Sequence, residues 1–119
     1  MILTATHCII FAENRKKERI TMPNVTVVAK VVAKKECVEN VKIELQKLVE
    51  PTRKELGCIE YLLHQDCDDP AIFVFYETWE SLNSLEKHMC TEHFSSYVNA
   101  VDGMLEEKVV HKMVRVEPR

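Results

Sequence analysis

Glycine is scarce in this chain. Only Gly57 and Gly103 occur among its 119 residues. Both the dinucleotide fingerprint GxGxxG and the phosphate loop GxxxxGK[ST] need two glycines close together, so the usual nucleotide-dependent enzymes are excluded. Long apolar runs are missing too: none approaches the roughly 18 residues that a membrane span requires. There is no basic excess, since 16 Lys and Arg stand against 19 Asp and Glu for a net charge of −3. That balance argues against a nucleic-acid module or a basic membrane-binding surface. The five cysteines, Cys8, Cys37, Cys58, Cys67 and Cys90, are odd in number and contain no CxxC pair. A disulfide framework would want pairs and a zinc site close doublets. They read instead as scattered small hydrophobes in a reducing, cytoplasmic compartment.

What is present suits one globular domain. The chain is 46% apolar and 29% charged. An unfolded chain of 13.8 kDa exposes roughly 20,000 Å² and a folded monomer keeps about 6,600 Å², so a core forms without disulfides or a structural metal. Residues 1–21 differ from the rest: the apolar patch Cys8-Ile9-Ile10-Phe11 precedes the charged run from Glu13 to Arg19. A secretory signal has the opposite order. Residues 1–21 therefore read as a peripheral extension, and 22–119 as the domain.

Asn24 to Ala33 is rich in β-branched residues and reads as a strand buried on both faces. Val38, Val41, Leu45, Leu48, Val49, Thr52 and Leu56 recur at three- and four-residue steps, the apolar stripe of a helix from about Lys35 to Leu56. Pro51 predicts a kink there, and Gly57 a helix stop. Cys58 to Gln65 and Ala71 to Trp79 read as two strands joined by the acidic turn Asp66 to Pro70. Ser81 is placed to cap a helix carrying Leu82, Leu85 and Met89, and Thr91 a further segment carrying Phe94, Tyr97, Val98 and Val101. Lys108 to Val116 is the last strand. The order βαββαβ predicts an α+β, ferredoxin-like sheet with its helices on one face. The other face is also apolar, so a second copy is expected to cover it.

Of the histidines, His7 lies in the extension, His64 reads as a solvated edge residue and His111 as structural. His88 flanks the apolar stripe of its helix, while His93 shares a helical face with Tyr97. His88, Glu92 and His93 form the one metal-like constellation, but they lack the i, i+4 histidine pair of a zincin helix, so no metal site is expected. Glu77 stands out because it shares a strand face with Phe73, Phe75 and Trp79. Burying it unpaired would be costly, so it needs a cation or donor, such as Arg53 or a helical histidine, or must line a cavity. Tyr61 on the neighbouring strand adds a phenol. An apolar space with a few polar groups has the character of a small-ligand pocket.

Residues 48–94, LVEPTRKELGCIEYLLHQDCDDPAIFVFYETWESLNSLEKHMCTEHF, closely resemble the antibiotic biosynthesis monooxygenase superfamily, especially its small quinol-monooxygenase-like members. The likeness runs from Val25 to Val116 through Thr52-Arg53, Gly57-Cys58, Tyr61, Asp69-Pro70, Phe73, Glu77, Trp79, Leu85, His88 and His93-Phe94. Where the family often has Glu-Pro-Gly-Cys, this chain has Glu55-Leu56-Gly57-Cys58. The resemblance implies a dimeric α/β barrel of two ferredoxin-like sheets and oxygenation without flavin, haem or metal. It implies a small phenolic or hydroquinone substrate, O₂ as co-substrate, and His88 or His93 as the base, with His88 favoured. Trp79, Phe73 and Phe75 would exclude water and stack on the ring, and Glu77, Tyr61 and Arg53 would orient the substrate or hold the histidine. Other members differ in chemistry. One is an isomerase, and a non-catalytic small-molecule-binding dimer would share the same pocket. Haem-degrading relatives use an asparagine and an iron-ligating histidine that Asn99 and His93 do not recreate.

Overall fold

The computed structural model describes residues 23–119, so the expected extension at 1–21 lies outside the described residues. The elements are β1 (Val25–Ala33), a 3₁₀ turn (Lys35–Cys37), α1 (Val38–Arg53), β2 (Cys58–Gln65), β3 (Ile72–Trp79), α2 (Leu82–His88), α3 (Glu92–Ala100) and β4 (Leu105–Met113). The strands form one sheet in the order β2-β3-β1-β4, antiparallel at each contact. This is the ferredoxin-like βαββαβ architecture.

Side-chain alternation sorts the sheet into two unlike faces. Val25, Val27, Val31 and Ala33 of β1 and Phe73, Phe75, Glu77 and Trp79 of β3 are buried, together with Val41, Leu45 and Leu48 of α1. Their alternate neighbours Val28, Val32, Ile72 and Val74 are half-buried, and Leu62 and Tyr76 are exposed. Within one chain, then, only one sheet face is sealed.

Two boundaries differ from the sequence pattern. Helix α1 ends at Arg53, not Leu56, and Leu56 is 86% exposed. Pro51 offers no N–H to the last turn. The chain then descends through tight turns, Lys54 N–H to the Pro51 carbonyl and Glu55 N–H to that of Thr52. Gly57 does not cap the helix; it takes a φ of +92° in the turn into β2. Strand β4 starts at Leu105 and ends at Met113, three residues earlier than its apolar pattern suggests. Its limits are set by β1, which pairs from Ala33↔Leu105 to Thr26↔Met113 with an irregularity at Val32/Ala33.

The two short helices are capped as expected. Ser81 Oγ accepts from Ser84 N–H at 3.2 Å, and Thr91 Oγ1 from Phe94 N–H at 3.3 Å. Cys37, Cys58 and Cys67 carry free thiols. Cys90 is disulfide-bonded and departs from the expectation of packing thiols.

Candidate active site

Antiparallel partners point to the same side of a sheet, so the pairing lays residues out in rows facing the helices. One row is Tyr61, Glu77, Val27 and Lys112; the next is Leu63, Phe75, Ala29 and Val110. Helices α2 and α3 stand over these rows and leave a cavity of about 300 Å³. The sheet contributes Tyr61, Phe75, Glu77, Lys108, Val110 and Lys112 to its wall, and the helices contribute Leu48, Leu85, His88, Met89, Phe94 and Tyr97.

His88, the last residue of α2, is 2% exposed. Its ring lies 4.9 Å from that of Trp79, 5.1 Å from Phe94 and 5.6 Å from Tyr61, centroid to centroid. Its Nδ1 is 2.7 Å from Oε2 of Glu55, and the same oxygen is 2.6 Å from Nε2 of His93. Glu55 thus joins the ends of two helices from the α1–β2 loop. That loop is pinned in turn: Glu80 N–H donates to the Gly57 carbonyl at 2.8 Å, and Gly57 packs where a Cβ would come within 2.7 Å of Ser84 Cβ.

Glu77 is buried, and its Oε1 accepts the indole N–H of Trp79 at 2.8 Å. Burial pushes its carboxyl above the usual carboxylate range; the Trp79 hydrogen bond and nearby His88 oppose that, and the Glu55 charge adds to it. Burial likewise raises the Tyr61 phenol, reinforced by Glu77 and opposed by the adjoining Thr52 hydroxyl. That hydroxyl nevertheless meets no partner in hydrogen-bond geometry. The Tyr61 ring stacks on Phe75 at 4.6 Å. Burial pushes Tyr97 up to about 12. Cys58 is pushed up to about 11 by burial and then by the charges of Glu55 and Glu77, against Arg53, which leaves it a poor nucleophile.

The structure brings His88, Glu77, Tyr61 and Phe75 of the expected residues to the cavity wall. Trp79 and Phe73 share their sheet face but are sealed in the core, Trp79 behind His88. Arg53 does not reach Glu77: its Nε donates to the Tyr61 carbonyl at 3.1 Å, bracing α1 against the edge strand β2. His93 lies off the cavity, partly exposed beside a second depression with Glu44, Lys47 and Ser96. Sequence reasoning missed Glu55, Met89 and the lysines of β4. Lys112 approaches Glu86 at 3.8 Å, and Lys108 Nζ sits 5.8 Å from the centre of the Phe94 ring, a cation–π distance. Glu55 also replaces Glu92 in the expected metal-like trio. The ligand atoms of Glu55, His88 and His93 lie within 4.8 Å of one another, but contacts of 2.6 and 2.7 Å are hydrogen-bond distances.

A family model for antibiotic biosynthesis monooxygenase matches residues 24–100. The chain belongs to this family. That match takes in the cavity-lining residues of every element except β4. Among solved structures, PA3566 from Pseudomonas aeruginosa superimposes with a TM-score of 0.77 at 33% identity, over 80% of this chain and 96% of that one. The crystal structure of an antibiotic biosynthesis monooxygenase gives 0.74 at 34% identity, over 78% and 99%. In sequence, the chain is 35% identical over 68 residues to YgiN of Escherichia coli, a probable quinol monooxygenase, covering 50% of this chain and 65% of the relative. An uncharacterised Synechocystis protein, sll1783, is 30% identical over 71 residues, 60% of this chain and 48% of that one. The chain thus spans about half to two-thirds of the length of these two relatives.

Proposed function

We propose that this protein is a cofactor-independent monooxygenase or oxidase that acts on a small phenol or hydroquinone with O₂. One observation carries the reading: His88 holds a ring nitrogen with no hydrogen-bond partner among the described residues, in an aromatic cavity that also presents a carboxyl and a phenol. Nδ1 is engaged by Glu55, leaving Nε2 for a ligand. In this reading His88 takes the phenolic proton, forming imidazolium and phenolate. The phenolate passes one electron to O₂, giving an aryloxyl radical and superoxide. The pair either recombines at a ring C–H, where the imidazolium returns its proton to give a hydroperoxide that loses water to form the quinone, or, from a hydroquinone, the radical passes a second electron and proton to superoxide and the imidazolium supplies the other proton, giving quinone and hydrogen peroxide. Glu77 and Tyr61 orient the ring, Phe75 shields it from water, and Trp79 backs His88 from the core. Phe73 supports them from the core, Arg53 steadies β2, and His93 acts through Glu55.

We place the working unit as a homodimer in which a second copy covers the open sheet face, where Leu62, Tyr76 and Met113 are 37%, 40% and 41% exposed. Among the described residues no helix is long and apolar enough to cross a membrane. The test is O₂ consumption across a panel of phenols and hydroquinones, reduced menadione among them, against no-enzyme controls. Enzyme-dependent uptake with at least one substrate is expected. Binding of the panel without turnover would replace this reading with that of a small-molecule-binding protein.

A further inference from the structure

His88 is the one histidine on the cavity wall among the described residues, and which of its nitrogens bears the proton decides what the cavity can bind. Nδ1 lies 2.7 Å from Glu55 Oε2, and His93 Nε2 lies 2.6 Å from the same atom. A carboxylate only accepts hydrogen bonds. A ring lone pair aimed at its oxygen across such a distance would be repelled, so both nitrogens that face it carry hydrogen. His88 is thereby held as the Nδ1–H tautomer, and its Nε2 keeps a lone pair. No hydrogen-bond partner for that atom occurs among the described residues, and His88 lines the cavity.

We propose that Glu55 is the positioning residue of this site: it locks His88 as a hydrogen-bond acceptor, so the cavity selects an aromatic ligand that donates a hydroxyl over the same ligand with that hydroxyl blocked. The ligand preference deepens the phenol reading above and rests on it; the tautomer does not. His93 completes the arrangement. Its second donor keeps a carboxylate that is only 12% exposed between α2 and α3, where a single hydrogen bond would compensate burial poorly. The turn at Gly57, docked on Ser84 and on the Glu80 amide, fixes the loop from which Glu55 reaches in. Glu77 is the competing acceptor on the wall and Tyr61 a competing donor, so the preference has to be traced to Glu55 by substitution.

Two readouts test this without turnover. In long-range proton–nitrogen spectra of the ligand-free full chain, with its histidines neutral, His88 is expected to show a protonated Nδ1 and an unprotonated Nε2. In calorimetric titrations, 1-naphthol is expected to bind about three- to tenfold more tightly than 1-methoxynaphthalene, the worth of one neutral hydrogen bond. Glu55→Ala is expected to mix the two tautomers and bring that ratio towards one. Glu55→Gln, which keeps an acceptor oxygen for Nδ1–H, is expected to restore both. A wild-type His88 protonated on Nε2 overturns the proposal and needs no variant that folds; so does a ratio that Glu55→Ala leaves unchanged. The expected tautomer and ratio without any O₂ consumption would support this proposal while overturning the oxygenase reading.

Discussion

At the residue scale, the site joins a buried carboxyl, whose pKa burial raises, to a histidine hydrogen-bonded by a second carboxyl. Glu77 has a folded pKa above its unfolded value, because burial penalises its charge. Its contribution to stability is therefore present below the ordinary carboxylate range and is lost as pH rises through the folded value. Glu77→Gln keeps the oxygen that accepts from Trp79 and removes the charge. Thermal melts should show it several degrees more stable than wild type at about pH 8 and little different at about pH 4. Cys58, partly buried and pushed up to about 11, is expected to resist iodoacetamide at about pH 8, while exposed Cys67 is alkylated first; peptide mapping over time reads the order. The sequence makes Glu77 and His88 visible, because a charged group among Phe73, Phe75 and Trp79 and a histidine beside an apolar stripe both break a pattern. Glu55 breaks none. It sits in a loop without periodicity, and its partners lie 33 and 38 residues further along.

At the scale of elements, local patterns locate most boundaries and pairing decides the others. Strand β2 occupies the residues its β-rich run marks out, β1 and β3 each begin one residue later, and both cap residues serve as caps. The last strand is displaced because its visible apolar run, Val109-Val110, lies mid-strand, and only β1 determines where pairing starts. Helix α1 outlasts its proline by two residues and no more, so Leu56, which fits the apolar stripe, falls beyond it. The α1–β2 turn is the sensitive joint. Gly57→Ala would bring a side chain into a left-handed conformation and against Ser84, at a cost of about 1–3 kcal/mol. A lower melting temperature is expected, along with weaker naphthol binding, because the same turn carries Glu55. A variant as stable as wild type would show that the loop yields freely.

At the scale of the whole molecule, the sheet has one face filled by helices and one that a single chain leaves open. The ferredoxin-like order follows from the sequence alone, and so does the apolar character of the open face. What covers that face is not written in one chain's pattern, since Val28, Val74 and Tyr76 read alike whether they meet solvent or a second copy. Light scattering is expected to give twice the 13.8 kDa of one chain. Tyr76→Glu, which places a charge on the open face away from the cavity, should shift the mass towards one chain; a wild-type monomer would contradict the proposed dimer. In the proposed reaction His88 is the base. Its most direct test is the rate of O₂ consumption with reduced menadione, less the rate without enzyme, for wild type and for folded His88→Ala. A fall of about 100-fold or more is predicted, the usual worth of a general base, and an unchanged enzyme-dependent rate would contradict it.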